Sequence, residues 1–314
     1  MKKIISTAFV TILLGMTFSG CLGNGLFSND ENSISINLPS WTKGDFWEYS
    51  IKTQELEIST TMVVSIDNDA TDYYIGTGSL EDAKRHAVLN YNPAIGRVQM
   101  SDFAIYEKNI PQTLIDFPLE KDKGWTFGLY GKEQFNAIVT NIEGNIANII
   151  ATSSDGARID YSFDKEAGWL SNFTFIDSNG ETILAMKLAN YGKGFTGNSY
   201  FCRGGDLYDE QFTGPDLSLY DTIYINEGHE RYGDWDYITY FLDADIGSSG
   251  SGELVLRDHL ETDILVKTLS PGTKMNEMGT VGGSSGNWTF EISLSGDADV
   301  RMRIAGVIQY TYAV

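Results

Sequence analysis

The feature that most constrains the fold is a degenerate internal repeat. Leu38-Pro39-Ser40-Trp41-Thr42-Lys43-Gly44-Asp45-Phe46-Trp47-Glu48-Tyr49 has a counterpart in Phe117-Pro118-Leu119-Glu120-Lys121-Asp122-Lys123-Gly124-Trp125-Thr126-Phe127. Each copy runs from an apolar-Pro step through Lys-Gly to a Trp, with another aromatic two residues on. Later matches keep the order: residues 75–79 with 150–154, 87–91 with 157–161, and 101–105 with 171–175. Repeats of this kind mark one supersecondary unit used twice, whose apolar face is covered only when the copies pack together. The unit reads as β. Trp47, Tyr49 and Ile51 alternate with polar residues, and residues 138–142 and 146–151 are short runs rich in β-branched side chains. Residues 80–89 have helix propensity. Residues 87–91, however, match the alternating stretch from 157, so they are expected to be strand, with 80–84 a turn or a single helical turn. Residues 110–117 read as a short helix.

The repeat defines a first domain over 37–195, ending in an Asn179-Gly180 hairpin signal and a strand over 182–188. Residues 196–215 are rich in Gly and polar residues and read as a linker. From 216 to 314 strand patterns return, clearest where Trp288, Phe290, Ile292 and Leu294 alternate with Thr289, Glu291 and Ser293. Six to eight short strands in such a length fit a β-sandwich. The expected fold class is mostly β: an N-terminal twisted antiparallel sheet domain built from a degenerate duplication, then a C-terminal β-sandwich. Composition agrees, with 33 Gly, 6 Pro and 12% aromatic residues.

The formal charge is −21. Such a chain repels polyanions, so nucleic acid and anionic lipid heads are excluded as partners. Acidity is spread over both domains rather than gathered in a tail.

The N-terminus carries an address. Lys2 and Lys3 precede an apolar run over 4–18, followed by Phe18-Ser19-Gly20-Cys21. The run is shorter than the ~20 residues a spanning helix needs. A charged start, apolar middle and small residues at the end form a secretory signal. Its last four residues resemble a lipobox, matching at Ser19, Gly20 and Cys21 and departing at Phe18, where the family usually has Leu. The resemblance implies a lipoprotein signal peptide over 1–21, lipidation of Cys21, a flexible tether over 22–36, and a place on the outer face of the cell membrane. Loss of Lys2 and Lys3 would take the charge from −21 to −23. Two acyl chains hold a protein firmly at ~0.8 kcal/mol per buried CH₂. Cys202 would then have no intrachain partner; it reads as a small buried residue in a loop.

Two further resemblances concern the domains. The Lys43–Trp47 start (Lys-Gly-x-x-Trp) and the Tyr91-Asn92-Pro93-Ala94-Ile95-Gly96 turn make the first domain similar to lipoprotein-carrier-like half-barrels and to uncharacterised secreted domains. That implies a curved sheet with an apolar concave face and carries no catalytic residue. The second domain resembles the jelly-roll or pre-peptidase-like sandwiches appended to secreted proteins, which implies adhesion, carbohydrate contact or assembly.

Site chemistry is sparse. Asp234/Asp236, Asp243/Asp245 and Asp297/Asp299 each place two carboxylates on one strand face, as does Glu261/Asp263. Ca²⁺ takes about six to eight oxygens, so these are weak candidates set against plain surface acidity. His86, His229 and His259 have no spacing that gathers the three or four ligands of a zinc site. Asn172-Phe-Thr174 and Asn287-Trp-Thr289 have the form of N-glycosylation acceptors. The six Trp read as core or sheet-face residues rather than as a sugar platform. No phosphate loop or dinucleotide fingerprint occurs. The expectation is a lipid-anchored extracytoplasmic binding or surface-architecture protein without catalytic activity, whose partner is an apolar ligand, a carbohydrate or a surface protein. Two alternatives stand beside it: a carrier or receptor holding an apolar ligand on the concave sheet, and a secreted hydrolase using paired acids.

Overall fold

The computed structural model describes residues 35–66 and 71–314. Cys21, the signal over 1–21 and nearly all of the expected tether lie outside the described residues. The tether's last residue is not tether: Ile36 is buried and exchanges backbone hydrogen bonds with Leu119 at 3.0 and 2.8 Å.

The duplication appears as two six-strand meanders. The first holds β1 (Phe46–Thr53), β2 (Glu57–Ile66), β3 (Asp72–Thr77), β4 (Gly96–Gln99), β5 (Ile105–Glu107) and β6 (Ile110–Gln112), with helix α1 (Leu80–Leu89) between β3 and β4. The second holds β7 (Gly124–Leu129), β8 (Lys132–Glu143), β9 (Ile146–Ser153), β10 (Arg158–Asp164), β11 (Trp169–Ile176) and β12 (Thr182–Gly192). Consecutive strands pair antiparallel, and β12 pairs with β1, which joins the copies into one sheet. The free edges approach each other: the Gln112 side chain on β6 accepts the Gly128 N–H of β7 at 2.6 Å, and the Tyr130 hydroxyl donates to the Tyr91 carbonyl at 3.2 Å. The sheet therefore curls almost into a barrel, whose core includes Trp41, Trp47, Phe103, Leu114, Tyr161 and Trp169.

Residues 80–89 correct the strand expectation. Ser79 caps the helix by accepting the Asp82 N–H at 3.1 Å, and Glu81 and Asp82 favour the positive end of the helix dipole. Asn90 closes it in the left-handed conformation, φ 46°. These local signals outweigh the repeat: the first copy carries an inserted helix, and β4 rather than α1 takes the place of β10 beside its meander neighbour. Residues 110–117 also differ from expectation, beginning with strand β6.

The remaining chain forms β13 (Asn198–Pro215), β14 (Ser218–Ile225), β15 (Gly228–His229), β16 (Gly233–Asp234), β17 (Tyr237–Ile246), β18 (Ser251–Arg257), β19 (Asp263–Leu269), β20 (Lys274–Gly282), β21 (Gly286–Ser295) and β22 (Asp297–Ala313). One layer is ordered β20-β17-β22-β13, the other β14-β21-β18-β19. That strand order is a jelly roll. Its layers enclose a core that includes Trp288, Phe290, Leu254, Val300 and Met302.

The expected linker over 196–215 is a strand. β13 pairs with β22 from Asn198↔Ala313 to Pro215↔Asp297, and Tyr200 pairs with Thr77 of β3, so one sheet runs from barrel into sandwich. Cys202 consequently lies in a strand and not a loop. The glycines of this stretch serve close packing. A Cβ at Gly204 would sit 2.2 Å from the Ala87 carbonyl oxygen of α1, and one at Gly205 would sit 2.6 Å from the Trp235 ring. Ala83, Ala87 and Val88 of α1 pack with Cys202, Phe241, Ala305 and Val307 of the sandwich. At the tip of the β1–β2 hairpin, Glu55 pairs with Arg303 at 2.7 Å. The β17 layer is thus covered on both faces, which is why residues 238–242 are buried without alternation.

Candidate functional site

The acids singled out in sequence do not converge. Asp245 pairs with Lys274, Asp299 accepts from Gln211 and Thr213, and Asp236 accepts the Gln309 N–H at 2.8 Å. Asp234 and Asp297 are exposed. Asp243 lies where the barrel hairpin meets the sandwich; burial, then the charges of Glu55 and Asp299, raise its pKa. Among the described residues no group of three or more His, Cys, Asp or Glu side chains is arranged to hold a metal ion. His229 accepts the Arg231 N–H at 3.1 Å and His259 bonds Ser284 at 2.9 Å, so neither shares a site with the other or with His86. Burial pushes the Cys202 thiol up to about 12, which removes thiolate chemistry at neutral pH. Asn172 and Asn287 are exposed positions on β11 and β21.

The tryptophans are structural. Trp41 stands with its ring centre 4.2 Å from Phe103, 4.8 Å from Trp169 and 5.1 Å from Trp47. Its indole N–H donates to Gly168 O and that of Trp47 to Ala167 O, both at 2.8 Å. These rings fill the concave side of the curled sheet, the place an apolar cargo would need.

Tyr191 of β12 is 42% exposed, but the most exposed aromatic residues among those described stand on the sandwich. Tyr220 and Tyr224 are 61% and 70% exposed. Both stand on the outward face of β14, an edge strand, while Ile223 and Ile225 point into the core. Four residues of strand separate them by about 13 Å. Tyr220 lies opposite Glu291, Thr222 opposite Thr289, and Tyr224 opposite Asn287; Val255 and Arg257 of β18 continue the rows. Arg257 is held by Glu291 at 2.7 Å and Asp263 at 2.8 Å, which fixes a flat polar floor beside the rings. A shallow hollow of about 340 Å³ is lined by Tyr220, Glu253, Val255, Glu291 and Ser293. The sequence contained a signal for this face: in Ser218-Leu-Tyr220-Asp-Thr222-Ile-Tyr224-Ile the tyrosines sit in the solvent phase of the alternation.

A second concavity, about 240 Å³, lies between α1, the β5–β6 hairpin and β13. Its lining includes His86, Arg97, Tyr106, Lys108, Arg203 and Asp206. The Arg97 guanidinium lies over the Tyr106 ring at 3.7 Å, and that of Arg203 over the Tyr232 ring at 3.8 Å. His86 is buried, and desolvation lowers its pKa from 6.5 to about 4, so it is neutral at physiological pH.

No protein-family model and no curated protein matches the chain. Solved structures give only faint likenesses. An exo-β-1,3-galactanase from Phanerochaete chrysosporium is 8% identical, with 82% of this chain and 68% of that chain covered and a TM-score of 0.18. SGBP-B of the Bacteroides ovatus mixed-linkage glucan utilization locus is 9% identical, with 88% and 93% covered and a TM-score of 0.17. The Gt strain of infectious bursal disease virus gives 8%, 91%, 73% and 0.17. At these scores none carries an argument about this chain.

Proposed function

We propose that the chain is a non-catalytic binding protein, held on the outer face of the cell membrane by lipid on Cys21, and that the outer face of the β14-β21-β18-β19 sheet binds a carbohydrate chain. The observation that carries the ligand class is the pair Tyr220 and Tyr224, exposed on one strand face. An aromatic ring has a negative face, which complements the slightly positive C–H face of a sugar ring. A surface ring kept in water by its fold gains by stacking and loses little freedom. Hydroxyls need acceptors and donors beside the ring, and Glu291, Asn287 and Thr222 supply them in the adjoining positions. The span of about 13 Å selects a chain of linked units over a single sugar.

The carrier reading is less well supported, because the concave barrel face is filled by Trp41, Trp47, Phe103 and Trp169. The hydrolase reading needs two carboxyl groups of unlike pKa facing across an open cleft. Asp243, whose pKa is raised, instead neighbours Glu55 and Arg303 at the barrel–sandwich contact.

Electrophoresis through gels containing soluble polysaccharides tests the ligand. Retardation by at least one polysaccharide, abolished in Tyr220→Ala/Tyr224→Ala, is the expected result; equal mobility of both proteins in every gel would refute it. Mass spectrometry of the membrane-extracted protein tests the anchor: a lipid adduct on an N-terminal Cys21 supports it, and an unmodified terminus elsewhere overturns it.

A further inference from the structure

We infer that the concavity between α1, the β5–β6 hairpin and β13 is a separate binding site for a small ligand bearing an oxyanion, carboxylate or phosphate, held by Arg97, Lys108 and Arg203. It shares no residue with the tyrosine face and stands or falls independently of the carbohydrate reading.

The first argument is charge. In a chain of net −21, three cations line one hollow whose lining contains a single acid, Asp206. Among the described residues Lys108 and Arg203 form no ion pair, and Arg97 reaches Asp72 only at 3.7 Å. Glu107, next to Lys108, is turned away to accept the Gly131 N–H at 3.2 Å. Arg301, Arg303 and Arg257, by contrast, each sit on carboxylates.

The second argument is preorganisation. Tyr106 and Tyr232 hold the two guanidinium planes by their ring faces, which leaves the N–H edges available. Asn109 Oδ1 accepts from the Tyr232 hydroxyl at 3.1 Å and from Arg203 Nη1 at 3.5 Å, tying the hairpin to the sandwich's β15–β16 turn. Lys108 and Asn109 both have positive φ, 49° and 65°, the conformation of a tight two-residue hairpin turn. That turn brings both side chains to the mouth of the hollow.

The third argument is unfinished hydrogen bonding. His86 is 6% exposed, lines the hollow, and its Nδ1 has no partner; Arg203 Nε is likewise buried and unpartnered. A buried polar atom without a partner costs about 1–3 kcal/mol, and two of the residues that line this hollow carry one. An oxyanion accepts from the arginine edges and leaves the neutral imidazole free to donate.

Calorimetric titration of the full chain with inorganic phosphate and, separately, with sodium galacturonate tests the site. Saturable binding of either is expected, and which of the two binds names the anion chemistry. Arg203→Gln should weaken it by about tenfold or more, the value of one charged hydrogen bond. Lys108→Gln, at an exposed position whose loss leaves the core intact, should weaken it about threefold. In the wild-type chain the His86 ring resonances should shift on saturation. Absence of binding by both anions, or affinities unchanged in both variants, overturns the inference.

Discussion

The barrel and the sandwich both bury aromatic rings, but the two most exposed tyrosines stand on the sandwich. In the barrel, Trp41, Trp47 and Trp169 are buried against one another, and two of the three indole N–H groups are spent on carbonyls of the β10–β11 turn. In the sandwich, Trp288 and Phe290 do the same work inside, while Tyr220 and Tyr224 are left standing in water on the edge strand. Aromatic content alone therefore says little. The informative quantity is the phase of each ring relative to its strand, because one residue of shift moves a side chain from core to solvent. The contrast gives the barrel's rings a packing role, and the proposed recognition rests on the sandwich's two exposed rings.

The largest effect should come from Trp41→Ala. It empties the centre of a cluster of five aromatic rings and should lower stability by about 3–5 kcal/mol in urea denaturation, without altering carbohydrate affinity per folded molecule. Loss of affinity with stability intact would break the assignment. Next comes His86, at the contact between the two regions. Its folded pKa of about 4 lies below the unfolded value of 6.5, so the unfolded chain binds the extra proton first as pH falls. Stability from this group is complete above pH 6.5 and drains away down to about pH 4, by on the order of 3 kcal/mol. His86→Leu should remove that slope when denaturation midpoints are compared between pH 4 and pH 7. Gly204→Ala forces α1 off β13 and should cost about 1–3 kcal/mol. Gly282→Ala, where nothing lies within 4 Å of the added methyl, should change stability by less than about 0.5 kcal/mol. Smallest for stability, and decisive for binding, are Tyr220→Ala and Tyr224→Ala, each expected within about 0.5 kcal/mol of wild type by thermal denaturation.

Much of the fold was legible. Alternation over β1 and β21 and the two starts in which Lys-Gly leads to a Trp foretold an antiparallel sheet domain followed by a sandwich, and both are present. Where the structure departs from the sequence pattern, the causes are physical. Residues 80–89 carried their own caps in Ser79 and Asn90, but the repeat masked an insertion between β3 and β4. Gly204 and Gly205 suggested flexibility, whereas glycine there permits α1 and Trp235 to lie against the strand. The buried run over 238–242 was a sign of a sheet covered on both faces, incompatible with a sandwich hanging free on a linker. The site was the least legible part. Paired aspartates are spaced to share a strand face, yet spacing along a strand does not show that Lys274 or Gln211 stands beside them. Arg97 and Arg203, 106 positions apart in sequence and lining one hollow, offered no local pattern at all.

The most direct test of the central claim is isothermal titration of the wild-type chain and Tyr220→Ala/Tyr224→Ala with the polysaccharide that retards the protein in gels, alongside their thermal midpoints. Saturable binding lost in the double variant, with the midpoint unchanged, is the outcome predicted. Equal affinity in the two proteins would contradict it and place recognition elsewhere than on the tyrosine face.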